Sequence, residues 1–349
     1  MNTKVKVMNE ENFDIEVLKE AGEIIRNGGL VAFPTETVYG LGANALNSLA
    51  VNKIFEAKER PQDNPLIIHV NDMNIEAYVR NIPEIAKKMM DRYWPGPLTI
   101  LFEKSDLIPK ETTAGLDSVG IRMPSNPIAR GLIKAAEVPI AAPSANISGR
   151  PSPTEVSRCI EDLRGKVDYI IGGRRSQVGL ESTVVDCTVD PPCILRPGGV
   201  TLEMLRELDE RIYIDPVIMK KPDKDLKPKA PGMKYRHYAP NASVIIVEGD
   251  LKKTIAKINE IVQNNIDENK KIGIMVTDET ISFYPKEITY SLGSRENLYS
   301  VAQNLFEALR YFDDLGVDLI VSEAFEEEGV GIAIMNRLRK ASGYNIIRL

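Results

Sequence analysis

Two pairs of polar residues in this sequence are suited to hold phosphate oxygens. Lys58 and Arg60 alternate beside a turn rich in Pro, Asp and Asn, and an extended chain there would project both cations toward one polyanion. Ser144 and Asn146 lie in the small-residue stretch AAPSANISG at 141–149, where low side-chain bulk lets backbone N–H groups approach a ligand closely. Taken alone, the first pair also fits a solvated helix C-terminus, and the second an ordinary strand-to-helix turn.

Four further polar side chains lie within or at the ends of short apolar strands, and ligands of α/β sheets bind near strand ends. Arg122 interrupts an apolar strand, and a charge in that position needs either a carboxylate ligand or a buried salt-bridge partner. His69 ends the run LIIHV, where a histidine either contacts a ligand or makes a structural hydrogen bond. Ser182 and Arg196 occupy similar positions later in the chain.

The turn PTETVYG at 34–40 leaves a strand directly into polar residues. Thr35 and Thr37 offer hydroxyls, and Glu36 offers a carboxylate able to bind an amine, although the same residues also fit an ordinary turn. The sequence contains no Walker phosphate-binding loop, no GxSxG elbow and no HExxH motif. We therefore expect its chemistry to depend on positioning and charge rather than on a covalent nucleophile.

Composition narrows the class of protein. The 349 residues carry a net charge of −6 and have a pI of about 5.3, which argues against a constitutive nucleic-acid binder. Three cysteines without CxxC spacing and two histidines argue against a zinc site and fit a reducing compartment. The polar, acidic start is unlike a signal peptide, and no apolar run approaches the ~18 residues needed to span a bilayer. These features predict a cytoplasmic protein with no protein-held metal and no membrane contact.

The elements that must position the polar residues alternate irregularly up to about residue 210, which predicts a mixed α/β sheet. Strands are expected at 4–8, 30–33, 66–70, 98–102, 118–123, around 140, and at 168–171, 182–188 and 193–196. Helices are expected at 14–27, 48–58 with Ser48 as N-cap, 75–94 with a break before Pro83, 127–136, 153–163 and 202–208.

The pattern becomes regular after residue 240 and predicts a small, doubly wound, Rossmann-like domain. Strands are expected at 243–248, 272–276, 288–292, 319–322 and 346–347, with helices at 251–262, 298–312 and 331–340. The segment lacks a GxGxxG fingerprint, so no dinucleotide is predicted. The stretch at 220–240 reads as a linker, yet PGMKYRHYAP at 231–240 is too rich in aromatic and basic residues for an inert spacer. The expected domains are 1–215, a linker at 216–240, and 241–349.

Seven motifs occur in an order that resembles the YrdC-type domain of threonylcarbamoyl-AMP synthases. They are FPTETVYGLG, AKERPQDNPLIIHV, WPGPLT, IRMPSN, APSANISGRPSPT, GLESTVVD and ILRPGG, and they cover about residues 10–210. The PGMKYRHYAP linker and the α/β domain after it resemble the longer, two-domain form of that family. The resemblance therefore extends over nearly the whole chain.

This resemblance implies a twisted, mixed α/β sheet domain of YrdC type followed by a smaller Rossmann-like domain. It also implies an enzyme that condenses L-threonine, bicarbonate and ATP to threonylcarbamoyl-AMP, pyrophosphate and water. A separate transferase complex would then move the threonylcarbamoyl group to tRNA, so any contact of this chain with tRNA would be weak or indirect. Mg²⁺ would be carried mostly by the triphosphate.

The resemblance also assigns roles to individual residues. Lys58 and Arg60 match the family's KxR motif, Ser144 and Asn146 match its SxN motif, and these four would form the catalytic phosphate site. The residues implied in ATP binding are Lys58, Arg60, Asn64, Ser118, Ser144, Asn146, Arg196 and Tyr238. Those implied in threonine binding are Thr35, His69, Arg122, Ala142 and Ser182, with Arg122 holding the carboxylate as a bidentate partner.

The product is a labile mixed anhydride, so water must be kept from it. We expect residues 231–240 to fold over the nucleotide site as a lid, with Tyr235 or Tyr238 near the ligand; a linker packed on the domain surface is the alternative. The competing function is a non-enzymatic module that binds tRNA or double-stranded RNA through phosphates. A carbamoyl-transfer enzyme with another donor is a third possibility, but its acylphosphatase-like and zinc-finger elements are not visible here.

Overall fold

A computed structural model describes residues 2–221, 228–231, 233 and 237–349 of the chain. The described residues divide by their contacts into two compact units. One comprises Met1–Ser148 with Ser152–Tyr235, and the other comprises Gly149–Pro151 with Arg236–Leu349. The predicted combination of a mixed α/β sheet followed by a Rossmann-like domain is confirmed.

The first unit is built on one long, mixed sheet. Its strands are β1 Lys4–Val7, β2 Val31–Phe33, β3 Gly40–Asn44, β4 Ile67–His69, β5 Leu98–Glu103, β6 Ser118–Arg122, β7 Ile140–Ala142, β8 Tyr169–Gly172, β9 Thr183–Asp186, β10 Cys193–Arg196 and β11 Tyr213–Ile214. Its helices are α1 Ile15–Arg26, α2 Ser48–Lys58, α3 Glu84–Tyr93, α4 Pro127–Ala136, α5 Val156–Leu163 and α6 Leu202–Arg206, with a 3₁₀ turn at Pro216–Met219. The strand order is β1-β8-β2-β3-β7-β4-β6-β5-β9-β10-β11 within the described residues.

The two faces of this sheet are covered differently. One face is mainly apolar, because alternate strand residues such as Leu41, Ile100 and Ile121 pack with α2, α3 and α5 into one core cluster. On the opposite face, α1 and α4 cover the end formed by β2, β7 and β8. Residues from the predicted linker cover the other end, where Ile218, Ala230 and Met233 pack on β5, β9 and β10.

Between those two covers, the second face carries polar side chains. His69 of β4 and Thr99 of β5 are both register partners of Arg122 in β6, so the three lie side by side on one face. All three are buried. The sheet therefore places a polar row at its centre, flanked by apolar clusters at both ends.

Local sequence signals mispredicted three elements. The segment at 75–82 is not helical, because its backbone is engaged by the end of β5: Val79 bridges Lys104 and the N–H of Arg80 donates to the carbonyl of Glu103. Helix α3 begins only after Pro83, which restricts the residue before it to extended conformations.

The other two errors concern β3 and α2. Residues 40–44 form a strand rather than the end of a polar turn, and Gly42 is required there because a Cβ would lie 2.7 Å from Ile140 Cγ2. Helix α2 is capped by Asn47 and not by Ser48, since the Asn47 side chain accepts from the N–H groups of Leu49 and Ala50.

The second unit is a parallel, five-stranded sheet within the described residues, in the order β14-β13-β15-β12-β16. Its strands are β12 Ser243–Glu248, β13 Ile272–Val276, β14 Thr289–Ser291, β15 Leu319–Glu323 and β16 Ile346–Arg348. Its helices are α7 Leu251–Asp267, α8 Leu298–Leu315 and α9 Gly331–Ala341, with 3₁₀ turns at Ile281–Phe283 and Lys286–Ile288. Strand β14 thus starts one residue later than predicted, after the second of those turns.

Candidate active site

Arg122 is the centre of the polar row. Its Nη1 donates to Thr37 Oγ1 at 2.8 Å, its Nε donates to the Gly96 carbonyl at 3.3 Å, and its Nη2 lies 2.7 Å from Glu36 Oε1. Only 4% of the Arg122 side chain and 8% of the Glu36 side chain are exposed. The structure therefore shows the buried salt bridge that the sequence left open, and the predicted contact of Arg122 with a carboxylate ligand stays a prediction.

The ion pair leaves hydrogen-bonding capacity unused. Among the described residues, neither carboxylate oxygen of Glu36 receives a hydrogen bond, and Arg122 Nη2 makes none, because the 2.7 Å contact has poor hydrogen-bond geometry. Buried charged groups are normally both paired and hydrogen-bonded, since leaving them unsatisfied costs free energy. The Arg122–Glu36 pair is thus unusual for the core of the unit, because it is buried and ionic yet has unsatisfied hydrogen-bonding atoms.

The turn that carries Glu36 is held rigidly. Thr35 Oγ1 donates to the carbonyl of Val38 at 2.5 Å and lies 2.9 Å from Thr37 Oγ1. The Glu36 carbonyl accepts from the N–H of Val178 at 2.8 Å. Thr35 is predicted to line a threonine pocket, and the network shows that its hydroxyl already orients the turn beside Arg122.

His69 lies next to Arg122 and is neutral. Burial, reinforced by the positive charge of Arg122, lowers the pKa of His69 to about 3. Its ring meets that of Phe33 edge-on at 6.1 Å, and its buried Nδ1 has no hydrogen-bond partner among the residues the structure describes. An unfilled nitrogen on a neutral ring suits a hydrogen bond to an uncharged ligand group.

A second chain of contacts joins Ser182 to Arg196. Arg196 Nη2 donates to Ser182 Oγ at 3.1 Å and Arg196 Nε to the Ser182 carbonyl at 3.0 Å. Ser182 Oγ lies 2.7 Å from Thr99 Oγ1, which is on the strand beside Arg122. Arg196 Nη1 also donates to the carbonyl of Pro231 at 3.4 Å. Sequence reasoning missed Thr99, although the quoted tract WPGPLT ends on it.

Lys58 and the SxN residues form one assembly. The buried Lys58 Nζ donates to the Ser144 carbonyl at 2.5 Å and also to the carbonyl of Asn146. Ser144 Oγ donates to Asn146 Oδ1 at 2.6 Å, and Asn146 Nδ2 donates to the carbonyl of Ile147 at 2.8 Å. Lys58 therefore fixes the shape of the loop, a contribution that its place in the KxR motif did not reveal.

The premise that Lys58 and Arg60 project together from an extended chain is wrong. Lys58 ends α2, and Glu59 is its left-handed C-cap at φ 54° and ψ 40°, so the chain turns between the two cations. Arg60 Nη2 instead donates to the carbonyl of Pro65 at 3.2 Å and approaches that of Asn64 at 3.4 Å. Their predicted roles in phosphate binding remain predictions.

Two further predicted nucleotide contacts, Asn64 and Ser118, lie at the opposite end of the strands from Arg122. Asn64 precedes β4 and Ser118 begins β6, and these strands run in parallel, whereas His69 and Arg122 end them. Arg122 lies four residue steps along the strand from Ser118, a distance of about 13 Å. Asn64 is buried, and its Oδ1 has no hydrogen-bond partner within the described part of the chain.

Ala142 and Tyr238 lie in apolar or aromatic surroundings. Ala142 of β7 is the register partner of Ile67 and belongs to the apolar cluster beneath α1 and α4. Tyr238, in the second unit, is stacked on Phe306 with ring centroids 5.0 Å apart, and the Arg337 guanidinium lies 5.7 Å above its ring. Tyr235, the other predicted lid tyrosine, lies outside the described residues.

Within the described ranges, no three His, Cys, Asp or Glu side chains are grouped as metal ligands would be. The helices there are also too short or too polar to cross a membrane. The polar row and the SxN loop thus contain hydrogen-bond donors, cations and the Glu36 carboxylate.

These features define a YrdC-type α/β domain followed by a Rossmann-like domain. The family model described as "Telomere recombination" (Sua5_yciO_yrdC) matches residues 23–198, and that described as "Threonylcarbamoyl-AMP synthase, C-terminal domain" matches residues 200–343. The chain belongs to the threonylcarbamoyl-AMP synthase family, whose members are nucleotidyltransferase-type enzymes. The resemblance identified from the seven motifs is thereby confirmed.

Individual relatives match over their full length. A threonylcarbamoyl-AMP synthase of Pyrococcus abyssi is 50% identical over 333 residues, covering 95% of this chain and 96% of the relative. One of Bacillus subtilis is 44% identical over 353 residues, covering all of both chains. The crystal structure of P. abyssi Sua5 complexed with L-threonine superposes with a TM-score of 0.94 at 48% identity, covering 99% of this chain and 100% of that one.

Proposed function

We propose that this chain condenses L-threonine, bicarbonate and ATP to threonylcarbamoyl-AMP, pyrophosphate and water. The observation that carries the proposal is the buried polar row at Arg122, whose neighbours Glu36 and His69 keep unfilled hydrogen-bonding atoms in an otherwise packed core. Membership of the family supports the proposed reaction. The unfilled polar atoms of the row support a binding site for an amino acid substrate.

Threonine is proposed to bind with its carboxylate on Arg122. A guanidinium binds a carboxylate in a bidentate manner, and Arg122 is already oriented by Thr37 and the Gly96 carbonyl. The neutral His69, together with Thr35, Ala142 and Ser182, would line the pocket around the side chain of threonine. A hydroxyl-bearing side chain would be favoured because the buried Nδ1 of His69 needs a partner.

ATP is proposed to extend from this pocket along β6 toward Ser118 and Asn64. The unfilled Oδ1 of the buried Asn64 would accept from the nucleotide, while Arg60 and Arg196 would contact its phosphates. Lys58 would act mainly by holding Ser144 and Asn146 in place, so that the loop presents its N–H and hydroxyl groups to the triphosphate.

The proposed chemistry needs alignment more than covalent help. The amine of threonine combines with bicarbonate to give a carbamate and water, and a carbamate oxygen then attacks the α-phosphorus as pyrophosphate leaves in line. Mg²⁺ would be carried by the triphosphate, since the site offers cations and hydroxyls rather than a carboxylate cluster for it. It would supply charge neutralisation of the leaving pyrophosphate.

Residues 231–240 are proposed to act as a lid over the nucleotide, linking domains at 1–215 and 241–349. Two observations support this: Ala230 and Met233 pack on the same sheet face as the polar row, and the Pro231 carbonyl accepts from Arg196. Replacing 231–240 by a Gly/Ser spacer of equal length should lower the yield of threonylcarbamoyl-AMP. An unchanged yield and unchanged ATP consumption would exclude the lid.

The product is proposed to pass to a separate complex that transfers the threonylcarbamoyl group to tRNA in the cytoplasm. Pyrophosphate release from ATP tests the reaction itself, with threonine or bicarbonate omitted in turn. We expect release to depend on both. Salt-sensitive binding of tRNA without threonine-dependent release would instead favour the RNA-binding alternative, and the net charge of −6 weighs against that outcome.

A further inference from the structure

Glu36 is a buried carboxylate, and the described part of the chain offers it one charged partner, Arg122. Only 8% of its side chain is exposed, one oxygen lies 2.7 Å from Arg122 Nη2, and among the described residues neither oxygen accepts a hydrogen bond. The hydroxyls nearest in sequence do not supply one, because Thr35 donates to the Val38 carbonyl and the Thr37 hydroxyl is therefore the donor in its contact with Thr35 Oγ1. The backbone therefore fixes the position of the carboxylate, but no described group donates a hydrogen bond to its oxygens.

A buried carboxylate of this kind needs donors from elsewhere. Burying a charge costs free energy unless the charge is both paired with an opposite charge and hydrogen-bonded. Glu36 is paired with Arg122, but within the described residues it accepts no hydrogen bond. Arg122 Nη2 is likewise paired with a charge but makes no hydrogen bond to the described residues. Two adjacent groups of opposite charge, each with atoms that make no hydrogen bond to the described residues, are complementary to a ligand that itself carries a carboxylate next to an ammonium group. A zwitterionic α-amino acid has this arrangement.

We infer that Glu36 binds the α-ammonium group of the amino acid substrate and accepts the proton that this group must lose before it can react. The inference rests on the proposed function and extends it to the amine. When the zwitterion binds, the direct contact between Arg122 and Glu36 is replaced by two ligand contacts: carboxylate with Arg122, ammonium with Glu36.

The proton then moves from nitrogen to the carboxylate. R–NH₃⁺ and the Glu36 carboxylate become R–NH₂ and the Glu36 carboxylic acid, and no other group changes charge. The nitrogen lone pair thus freed attacks the carbon of bicarbonate, giving R–NH–COO⁻ and water, so atoms and charge balance. Glu36 returns its proton to solvent after the product leaves. In the substrate-free protein the same carboxylate neutralises Arg122.

The test is a binding measurement that does not need turnover. Calorimetry would compare L-threonine with 3-hydroxybutyrate, which keeps the carboxylate and the hydroxyl but lacks the amine. For the wild-type protein we expect threonine to bind far more tightly. Glu36→Gln should weaken threonine binding about 100-fold, because a charge-assisted hydrogen bond is lost. It should leave 3-hydroxybutyrate binding unchanged or tighter, since the glutamine no longer competes for Arg122.

Turnover adds a second readout. The Glu36→Gln variant should regain activity as the pH rises toward the pKa of the threonine amine, because free amine then forms without the carboxylate. Glu137→Gln, which alters an exposed carboxylate paired with Arg26 on the surface, is the matched control and should behave as wild type. Glu36→Asp keeps the negative charge and is a second test if the glutamine variant does not fold. This variant should still bind threonine more tightly than 3-hydroxybutyrate.

The outcomes separate this inference from the proposed function. If the wild-type protein binds threonine and Glu36→Gln binds it equally well, the role of Glu36 is overturned while the function stands. If the wild-type protein binds neither compound and releases no pyrophosphate, the proposed function itself fails. A Glu36→Gln variant with reduced affinity for both compounds would show a structural role only and would also overturn the inference.

Discussion

Two buried carboxylates, Glu36 in the N-terminal unit and Glu323 in the C-terminal unit, differ in how far their oxygens are hydrogen-bonded. In the C-terminal unit, the fully buried Glu323 at the end of β15 has both oxygens occupied, one by Arg295 at 2.8 Å and the other by Tyr284 at 3.1 Å. In the N-terminal unit, Glu36 has one ion-pair contact and no hydrogen bond within the described residues. A filled network stabilises the fold, whereas an unfilled one in a packed core indicates where a ligand belongs.

The largest effect that the comparison predicts is at Arg122. Arg122→Ala should lower kcat/KM for threonine by about 1000-fold or more, because a buried partner of the substrate carboxylate is removed. Steady-state pyrophosphate release measures this. Arg26→Ala, which removes a surface ion pair with Glu137, is the matched control and should stay near wild type. Equal losses in both variants would show that the effect is not specific to the polar row.

The phosphate loop should show the next largest effect. Ser144→Ala removes the hydroxyl that donates to Asn146 and is proposed to face the triphosphate, so turnover should fall about 100-fold with little change in thermal stability. Ser148→Ala, in the same loop, should retain activity within about threefold, since only the Ser148 backbone N–H binds Lys58. Lys58→Ala should lower both turnover and stability, because two buried carbonyls lose their donor. Full activity of Ser144→Ala would remove the loop from the site.

The sequence predicted much of the fold and part of the candidate site, but not the contrast between Glu36 and Glu323. The regular alternation after residue 240 predicted the Rossmann-like unit, because each element there is long enough to show its own period. The motifs also placed Ser182 and Arg196 at strand edges, and Arg122 inside a strand that the structure ends on it. The strand at 40–44 was missed because its glycines give no hydrophobic pattern. Glycine is required at these positions because a side chain there would collide with Phe33 or Ile140, which are distant in sequence or on another strand. Thr99 and the Arg122–Glu36 pair depend on strand register between distant segments, which no local signal reveals.

A third prediction examines the C-terminal half of the comparison. Glu323→Gln should lower the free energy of unfolding by about 2 kcal/mol, because its charge-assisted contacts with Arg295 and Tyr284 are weakened. Denaturant titration measures this loss. Threonine affinity should change less than twofold, in contrast to Glu36→Gln. A large loss of threonine binding in Glu323→Gln would abolish the distinction between the two carboxylates.

A last prediction concerns a pH dependence of stability that originates from His69. Its pKa of about 3 in the folded protein lies below the usual value of 6.5, so the unfolded chain binds the extra proton. The stabilisation is present above pH 6.5 and is lost as the pH falls toward 3, by up to about 1.4 kcal/mol per pH unit. His69→Gln should show a shallower loss between pH 7 and pH 5 in denaturant titrations. An unchanged slope would mean that His69 titrates normally.

The most direct measurement follows the label from ¹³C-bicarbonate into product, for the wild-type protein and for Arg122→Ala at saturating ATP. The proposed site predicts that the wild type forms threonylcarbamoyl-AMP carrying the label only when threonine is present. It also predicts that Arg122→Ala, although folded, forms it at least about 1000-fold more slowly at low threonine. Labelled product formed at the same rate by both proteins would contradict the placement of threonine at Arg122.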